Sequence, residues 1–254
     1  MAEFWQQVVS GLASGGIYAS LALAVVIVYR SSGVINFAQG EMATFATYLA
    51  WTFLHHGISF WPAFALTLAV AFAGGVALER VVIRPVEGRP VLTVVILTIG
   101  LLILINGATQ WIWGGAVRKF PSPFSTRPIH VGSAALSIQD IGIVGVCLVA
   151  VALLTLFFRF TKLGLGLRAA AVNPEESRLV GVRVGWMLAL GWGLSAALGA
   201  VVGGLALGVL LNLLGTYVST FGGEMRLVGG LAVILAVLLV RPTGLFGRAA
   251  VRRV

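Results

Sequence analysis

VLTVVILTIGLLILINGATQWIWGGAV, residues 91–117, contains no Asp, Glu, Lys or Arg. It exceeds the roughly 18 apolar residues that mark a spanning helix, and it lacks the alternation of a barrel strand of about 10 residues. Inside a bilayer the backbone has no water to bond, so an unbroken apolar tract of this length must satisfy itself as a helix. Outward from this tract, further charge-free stretches cover residues 4–29, 42–78, 141–158, 184–223 and 227–240. Charged residues make up 10% of the 254 positions, against about a quarter in a soluble domain, and the mean hydropathy is +1.03. The sequence therefore predicts an all-α, polytopic membrane helix bundle, a single transmembrane domain over residues 1–254. Its passes, about seven in number, are placed near residues 8–29, 37–54, 61–80, 91–113, 139–160, 186–211 and 227–240.

Charge sets the orientation. Arg30, the loop 80–90, the loop 159–185 and the tail 241–254 hold 13 of the 17 basic residues, which puts these segments on the cytoplasmic side. The N-terminus then lies outside and the C-terminus inside. Trp5, Trp51, Trp61, Trp111 and Trp113 fall near the outer ends, as interfacial aromatics do, whereas Trp186 and Trp192 belong to the inner half of their helix. The opening MAEFWQQ carries only Glu3 and lacks the basic start of a signal peptide, so the first tract is expected to persist in the mature protein. Glycines four apart, Gly11 and Gly15, Gly199 and Gly203, Gly204 and Gly208, read as close helix packing.

Several function classes are excluded. The net charge of +9 is spread over short loops, where topology explains it better than nucleic acid does. Cys147 is the single cysteine, so no disulfide or cysteine cluster forms within the chain. His55 and His56 share an outer turn without a carboxylate, and His130 has no evident partner; no metal site and no cofactor is expected. The two lysines, Lys119 and Lys162, follow Arg118 and Thr161, so there is no phosphate-binding Gly-Lys-Ser/Thr loop. Paired acid and base groups for intramembrane catalysis are lacking too, so the chain is not expected to be an enzyme.

Between the first two tracts stands GVINFAQGEM, residues 33–42. Asn36 suits a helix N-cap, with Gln39 three residues on as its capping-box partner. Two readings stay open on spacing. Either Asn36, Gln39 and Glu41 sit in the headgroup region, or residues 31–40 re-enter the protein interior, where nonhelical backbone survives only if it is buried or lines a cavity. In the second case Glu41 is an intramembrane ionisable group and the helix start faces a permeation route, with Phe37 and Phe45 adding apolar surface.

The loop 159–185 also carries structure. Asn173 can cap a helix, Pro174 fits its first position, Glu175 and Glu176 complement the positive dipole end, and Gly181 can stop it. A helix of about two turns is unstable alone in water and needs a surface. That surface is either this chain's own inner loops or a separate protein.

GLASGGIYASLALAVVIVYRSSGVINFAQGEMATFATYLAW, residues 11–51, resembles the permease subunits of bacterial branched-chain amino acid ABC importers of the Liv type, the partner with an INFAHGE-like motif. Asn36, Phe37, Ala38, Gly40 and Glu41 fit that motif, and Gln39 stands where many members carry His. LERVVIRPV at 78–86, TKLGLGLRAAAVNPEESRLVGV at 161–182 and LLVRPTGLFG at 238–247 extend the likeness over nearly the whole chain. After residues 195–204, members usually pass through a further segment with an AVLGG-like motif, whereas this chain runs directly into LALGVLLNLLGTYV. The resemblance implies a multi-pass permease of the bacterial inner membrane that transports branched-chain or other amino acids. Its implied partners are a second permease subunit, two ATP-binding cassette subunits and a periplasmic substrate-binding protein. ATPase contact would fall on Arg168, Asn173, Pro174, Glu175, Glu176, Arg178, Leu179 and Val180, and the substrate path on Asn36, Phe37, Gln39, Glu41 and Phe45. A stand-alone secondary transporter or channel is the alternative; it would require more ionisable groups deep in the helices than Glu41, Glu224 and Arg226.

Overall fold

The computed structural model describes residues 2–114, 120, 123–124, 128–131 and 134–217. The chain divides into a unit over residues 1–209 and a second over 210–254, and the site described below lies within the first. The elements in order are α1 (Ala2–Ser32), α2 (Gln39–His55), α3 (Phe60–Leu78), a π turn (Glu79–Ile83), a 3-10 turn (Arg84–Val86) and α4 (Val91–Trp113). There follow β1 (Pro128–Val131), β2 (Ala134–Ser137), α5 (Ile138–Phe160), α6 (Lys162–Val172), α7 (Pro174–Leu179) and α8 (Val184–Tyr217).

Among the described residues, five segments are long and apolar enough to cross a membrane: Gly15–Ser32, Phe60–Val86, Val91–Trp113, Ile138–Phe160 and Val184–Val201. α2 has 17 residues and reaches only about 26 Å at about 1.5 Å per residue. α2 thus falls just short of the shortest of the five spans. The expected pass at 227–240 lies outside the described residues, as does the tail 241–254.

α4 begins after Pro90 and ends on Gly114, whose φ of +76° is the left-handed conformation that closes helices. Between the passes expected near residues 91–113 and 139–160 the chain forms an antiparallel hairpin in which Pro128 pairs with Ser137 and Val131 with Ala134. The described fold is helical, as expected, with one short two-stranded hairpin between α4 and α5.

α1 packs on α5, and α2 on α3 and α4. Val28, Ala38, Met42, Ile83, Leu101, Ile105, Trp192 and Ala196 form a buried cluster joining α1, α2, α4 and α8. Buried threonines satisfy themselves along their own helices: the hydroxyls of Thr47, Thr67 and Thr109 donate to carbonyls four residues back at 2.8 Å. α3 and α8 meet at glycines. A Cβ on Gly75 would lie 2.5 Å from the Trp192 carbonyl oxygen, so this spacing tolerates hydrogen alone.

The end of α3 departs from regular geometry for a local reason. Pro85 lacks an N–H, and its ring would clash with the carbonyl four residues back in a continued α-helix. The chain widens to a π turn, with Arg84 N–H donating to Glu79 O, then tightens to a 3-10 turn before Gly88 at φ +82°. The expected helix 61–80 therefore ends at Leu78.

Candidate functional site

Gly33, at φ +71°, ends α1, and the chain from Val34 to Ala38 alternates in exposure: Val34, Asn36 and Ala38 are buried while Ile35 and Phe37 face outward. α2 starts at Gln39, not at residue 37, and Asn36 is not its cap. Asn36 Oδ1 accepts from the Ala38 N–H at 3.0 Å, forming an Asx turn one step earlier. Asn36 Nδ2 reaches Gln39 Oε1 and Met42 Sδ, both at 3.3 Å. Asn36 and Gln39 are each only 2% exposed.

Gln39 is held by α8, at a serine that also touches α1. Its Nε2 donates to the Ser195 carbonyl oxygen at 3.1 Å. Ser195 Oγ lies 2.8 Å from both Gln39 Oε1 and the Ala24 carbonyl oxygen and donates its single proton to one of them. A Cβ on Gly199 would come within 2.8 Å of Gln39 Nε2, so glycine there makes room for the amide. Ser195 lies eleven residues into α8, about 16 Å from its start, and Ala24 lies eight residues before the end of α1, about 12 Å along it. The amide of Gln39 thus sits well inside the bundle. Among the two open readings, this geometry matches a segment 31–40 that folds back into the interior, and it explains why α2 is short.

Sequence spacing could suggest Asn36 and Gln39; it could not suggest Ser195, which sits among small apolar residues. Phe37 is 46% exposed and Glu41 is half-buried in the first turn of α2. Phe45 packs edge-on to Trp113 at 5.2 Å, and Trp113 donates through Nε1 to Thr52 Oγ1 at 2.9 Å. Asn36, Gln39 and Phe45 are therefore packed into helix contacts, whereas Phe37 is open. Replacing Gln39 by Leu strands Asn36 Nδ2 with a weak sulfur partner. The expected loss is about 1–3 kcal/mol, read as a lower thermal midpoint in detergent. Gln39→His keeps one donor and one acceptor on its ring and is expected to fall less. Equal midpoints for both variants would contradict the network.

A cavity of about 1200 Å³ opens beneath this folded-back segment. Val34, Leu188 and Trp192 line it, together with Arg30, Arg89 and Arg168. The arginines come from the last turn of α1, from the turn before α4 and from α6, so the fold gathers dispersed basic positions around one cavity.

The loop 159–185 forms two helices where one was expected. α6 is capped by Thr161 Oγ1, which accepts from the Gly164 N–H at 2.9 Å. Its Leu167 and Ala170 are buried against Val184, Met187 and Leu188 of α8. α7 follows the sequence expectation closely. Asn173 Oδ1 accepts from the N–H groups of Glu175 and Glu176 at 3.2 Å, Pro174 is the first helical residue, and Gly181 at φ +84° follows the end. Val182 N–H donates to the Ser177 carbonyl oxygen at 2.9 Å, which ties α7 to the start of α8. Arg168, Glu175, Glu176 and Arg178 are exposed, and Leu179 and Val180 are 87% and 79% exposed. The chain's own helices therefore hold α6, and the tip of α7 is left uncovered.

Residues 7–247 match the family described as branched-chain amino acid transport system, permease component. The chain is 29% identical to the high-affinity branched-chain amino acid transport system permease protein LivH of Salmonella typhimurium strain LT2, over 99% of this chain and 98% of that protein. It is 28% identical to LivH of Escherichia coli strain K12 and to BraD of Pseudomonas aeruginosa strain PAO1, the high-affinity branched-chain amino acid transport system permease proteins of those organisms, with the same coverage. These alignments extend over 305 positions, so at least 51 of them have no counterpart among the 254 residues here. No solved structure matches the chain.

Proposed function

This chain belongs to the family of branched-chain amino acid transport system permease components, and from that membership we propose that it is one membrane half of an ATP-driven importer for branched-chain or other amino acids. The observation that carries this reading is a match running from residue 7 to residue 247, with relatives covered over 98% of their length. A second permease subunit completes the path, two ATP-binding cassette subunits supply hydrolysis, and a periplasmic binding protein delivers the solute. The chain sits in the bacterial inner membrane with its N-terminus outside and its basic end, including the tail, in the cytoplasm. The seventh pass and the tail are part of this proposal. We place the positions lacking counterparts after residue 204, where the motif pattern breaks.

The solute passes the start of α2. The open ring of Phe37 and the half-buried Glu41 border the route, while Asn36, Gln39 and Phe45 hold that helix start in register. A zwitterionic amino acid suits a helix start that offers N–H groups and an apolar wall. Energy enters at the α6–α7 element, where Arg168, Asn173, Pro174, Glu175, Glu176, Arg178, Leu179 and Val180 meet an ATPase subunit.

Affinity purification of this chain from its native membrane is expected to bring down an ATPase, and uptake by the reconstituted assembly is expected to stop with vanadate. Vanadate-insensitive uptake by the single purified chain would replace this reading with that of a stand-alone transporter. In the reconstituted assembly, Asn36→Ala together with Gln39→Ala is expected to lower uptake severalfold; undiminished uptake would show that their hold on the start of α2 does not serve the path.

A further inference from the structure

The span Phe60–Val86 ends in charge. Glu79 is 1% exposed yet ionisable, and it sits one turn before the loop. In an α-helix, residues five apart are separated by about 1.4 turns and do not face each other. The π turn changes this by hydrogen-bonding across five residues, and it sets Arg84 directly over Glu79. Arg84 Nε donates to Glu79 Oε1 at 3.2 Å and Arg84 Nη2 to Glu79 Oε2 at 2.9 Å, a two-pronged pair with defined orientation. Nη2 also lies 2.6 Å from the Gly185 carbonyl oxygen of α8. A Cβ on Gly185 would stand only 3.4 Å from that nitrogen, so glycine admits the guanidinium closely.

A second tie runs beside the first. The Arg80 guanidinium lies 3.7 Å from the centroid of the Trp186 ring, and its Nε is buried with no hydrogen-bond partner. The stacking on Trp186 is what this cation has in place of a full set of acceptors. Both ties end on consecutive residues of α8, Gly185 and Trp186, immediately after the α6–α7 element. α7 is joined to the same place by the Val182-to-Ser177 hydrogen bond, and α6 by its packing on Val184, Met187 and Leu188. On the far side, α3 is interlocked with α8 at Gly75 and Gly193.

We infer that Glu79, Arg80, Arg84 and Trp186 form a joint that carries displacement of the α6–α7 element into α3. The inference rests on the importer reading and assigns positioning residues to it. The joint stays closed while the element moves, because a buried carboxylate that loses its arginine is left as an uncompensated charge. A push on α7 then shifts the start of α8 and the end of α3 as one block, with the loop after the 3-10 turn, around Gly88 at φ +82°, as the place where the rest of the chain yields.

The test uses the complete assembly in proteoliposomes and reads solute taken up per ATP hydrolysed. For Arg84→Ala this ratio is expected to fall about tenfold while hydrolysis continues, within the range by which residues along a coupling route alter it. Trp186 is 45% exposed, so its replacement is tolerated by the fold and guards against a trivial loss of assembly. Trp186→Ala is expected to lower the ratio about threefold, and Trp186→Phe, which keeps an aromatic face for Arg80, to restore most of it. If uptake and hydrolysis fall together, or neither changes, the residues are merely structural and the joint is overturned. A wild-type assembly without ATP-dependent uptake overturns the importer reading, and the joint with it.

Discussion

Gly75→Leu is expected to leave almost no monodisperse chain after detergent extraction, while Gly74→Leu extracts like the wild type. The two glycines are neighbours on α3 with opposite surroundings. A Cβ at Gly74 meets nothing within 4 Å, whereas one at Gly75 would lie 2.5 Å from the Trp192 carbonyl oxygen, 2.8 Å from Ala196 Cβ and 3.0 Å from Gly193 Cα. The reverse contact is equally tight, since a Cβ on Gly193 would meet Val76 Cγ2 at 2.8 Å and the Phe72 ring at 2.9 Å. Overpacking costs about 1–3 kcal/mol where side chains can shift. Here two of the three nearest atoms are backbone, so relief requires α3 and α8 to part. That separation would expose Trp192, now 1% exposed, and open the cluster it shares with Val28, Met42 and Ile83. A loss above about 3 kcal/mol follows, read as a lost elution peak and a collapsed thermal midpoint. Equal peaks for the two variants would show that the helices do not interlock here.

What the sequence made legible was local. The α4 boundaries at Val91 and Trp113 follow from Pro90 and Gly114, and α7 follows from Asn173, Pro174 and Gly181. Each signal acts within a few residues. The start of α2 obeyed no such rule. Asn36 has the side chain of an N-cap, but its partners include Gln39, whose own partner Ser195 is 156 residues away, and that contact fixes where the helix begins. α6 escaped notice because LGLGLRAAA has weak helical preference around its glycines, and packing on α8 overrides it. Glycine spacing was a partial guide. Gly199 does meet the neighbouring Gln39, but Gly15 faces open space, and the close approach of α3 to α8 at Gly75 falls outside the expected pairs. The Glu79–Arg84 pair was visible as charges in LERVVIRPV, yet their five-residue separation argues against contact until Pro85 is seen to force a π turn.

Reversing charge at the tip of α7, with Glu175→Lys and Arg178→Glu together, is expected to abolish solute uptake while leaving the isolated chain as stable as the wild type. Both side chains are exposed, and the element's attachment does not use them: Ser177 is the buried residue of α7, and Val182 N–H bonds its carbonyl. The swap preserves net charge, so surface potential at a distance hardly changes. The local cost is small, since a like charge at a helix N-terminus is unfavourable by about 0.3–1 kcal/mol. What changes is the rim around Leu179 and Val180, two apolar side chains that a soluble surface would not keep together at 87% and 79% exposure without a partner. Each charged neighbour selects which groove those anchors can enter, and like charges facing one another across an interface cost several kcal/mol. Co-purification of the ATPase with the double variant is therefore expected to fall at least about tenfold, which corresponds to about 1.4 kcal/mol. Uptake in proteoliposomes falls with it, while the thermal midpoint of the free chain stays put. An ATPase retained at wild-type yield, with uptake intact, would move the contact away from α7 and require the open apolar pair to have another role.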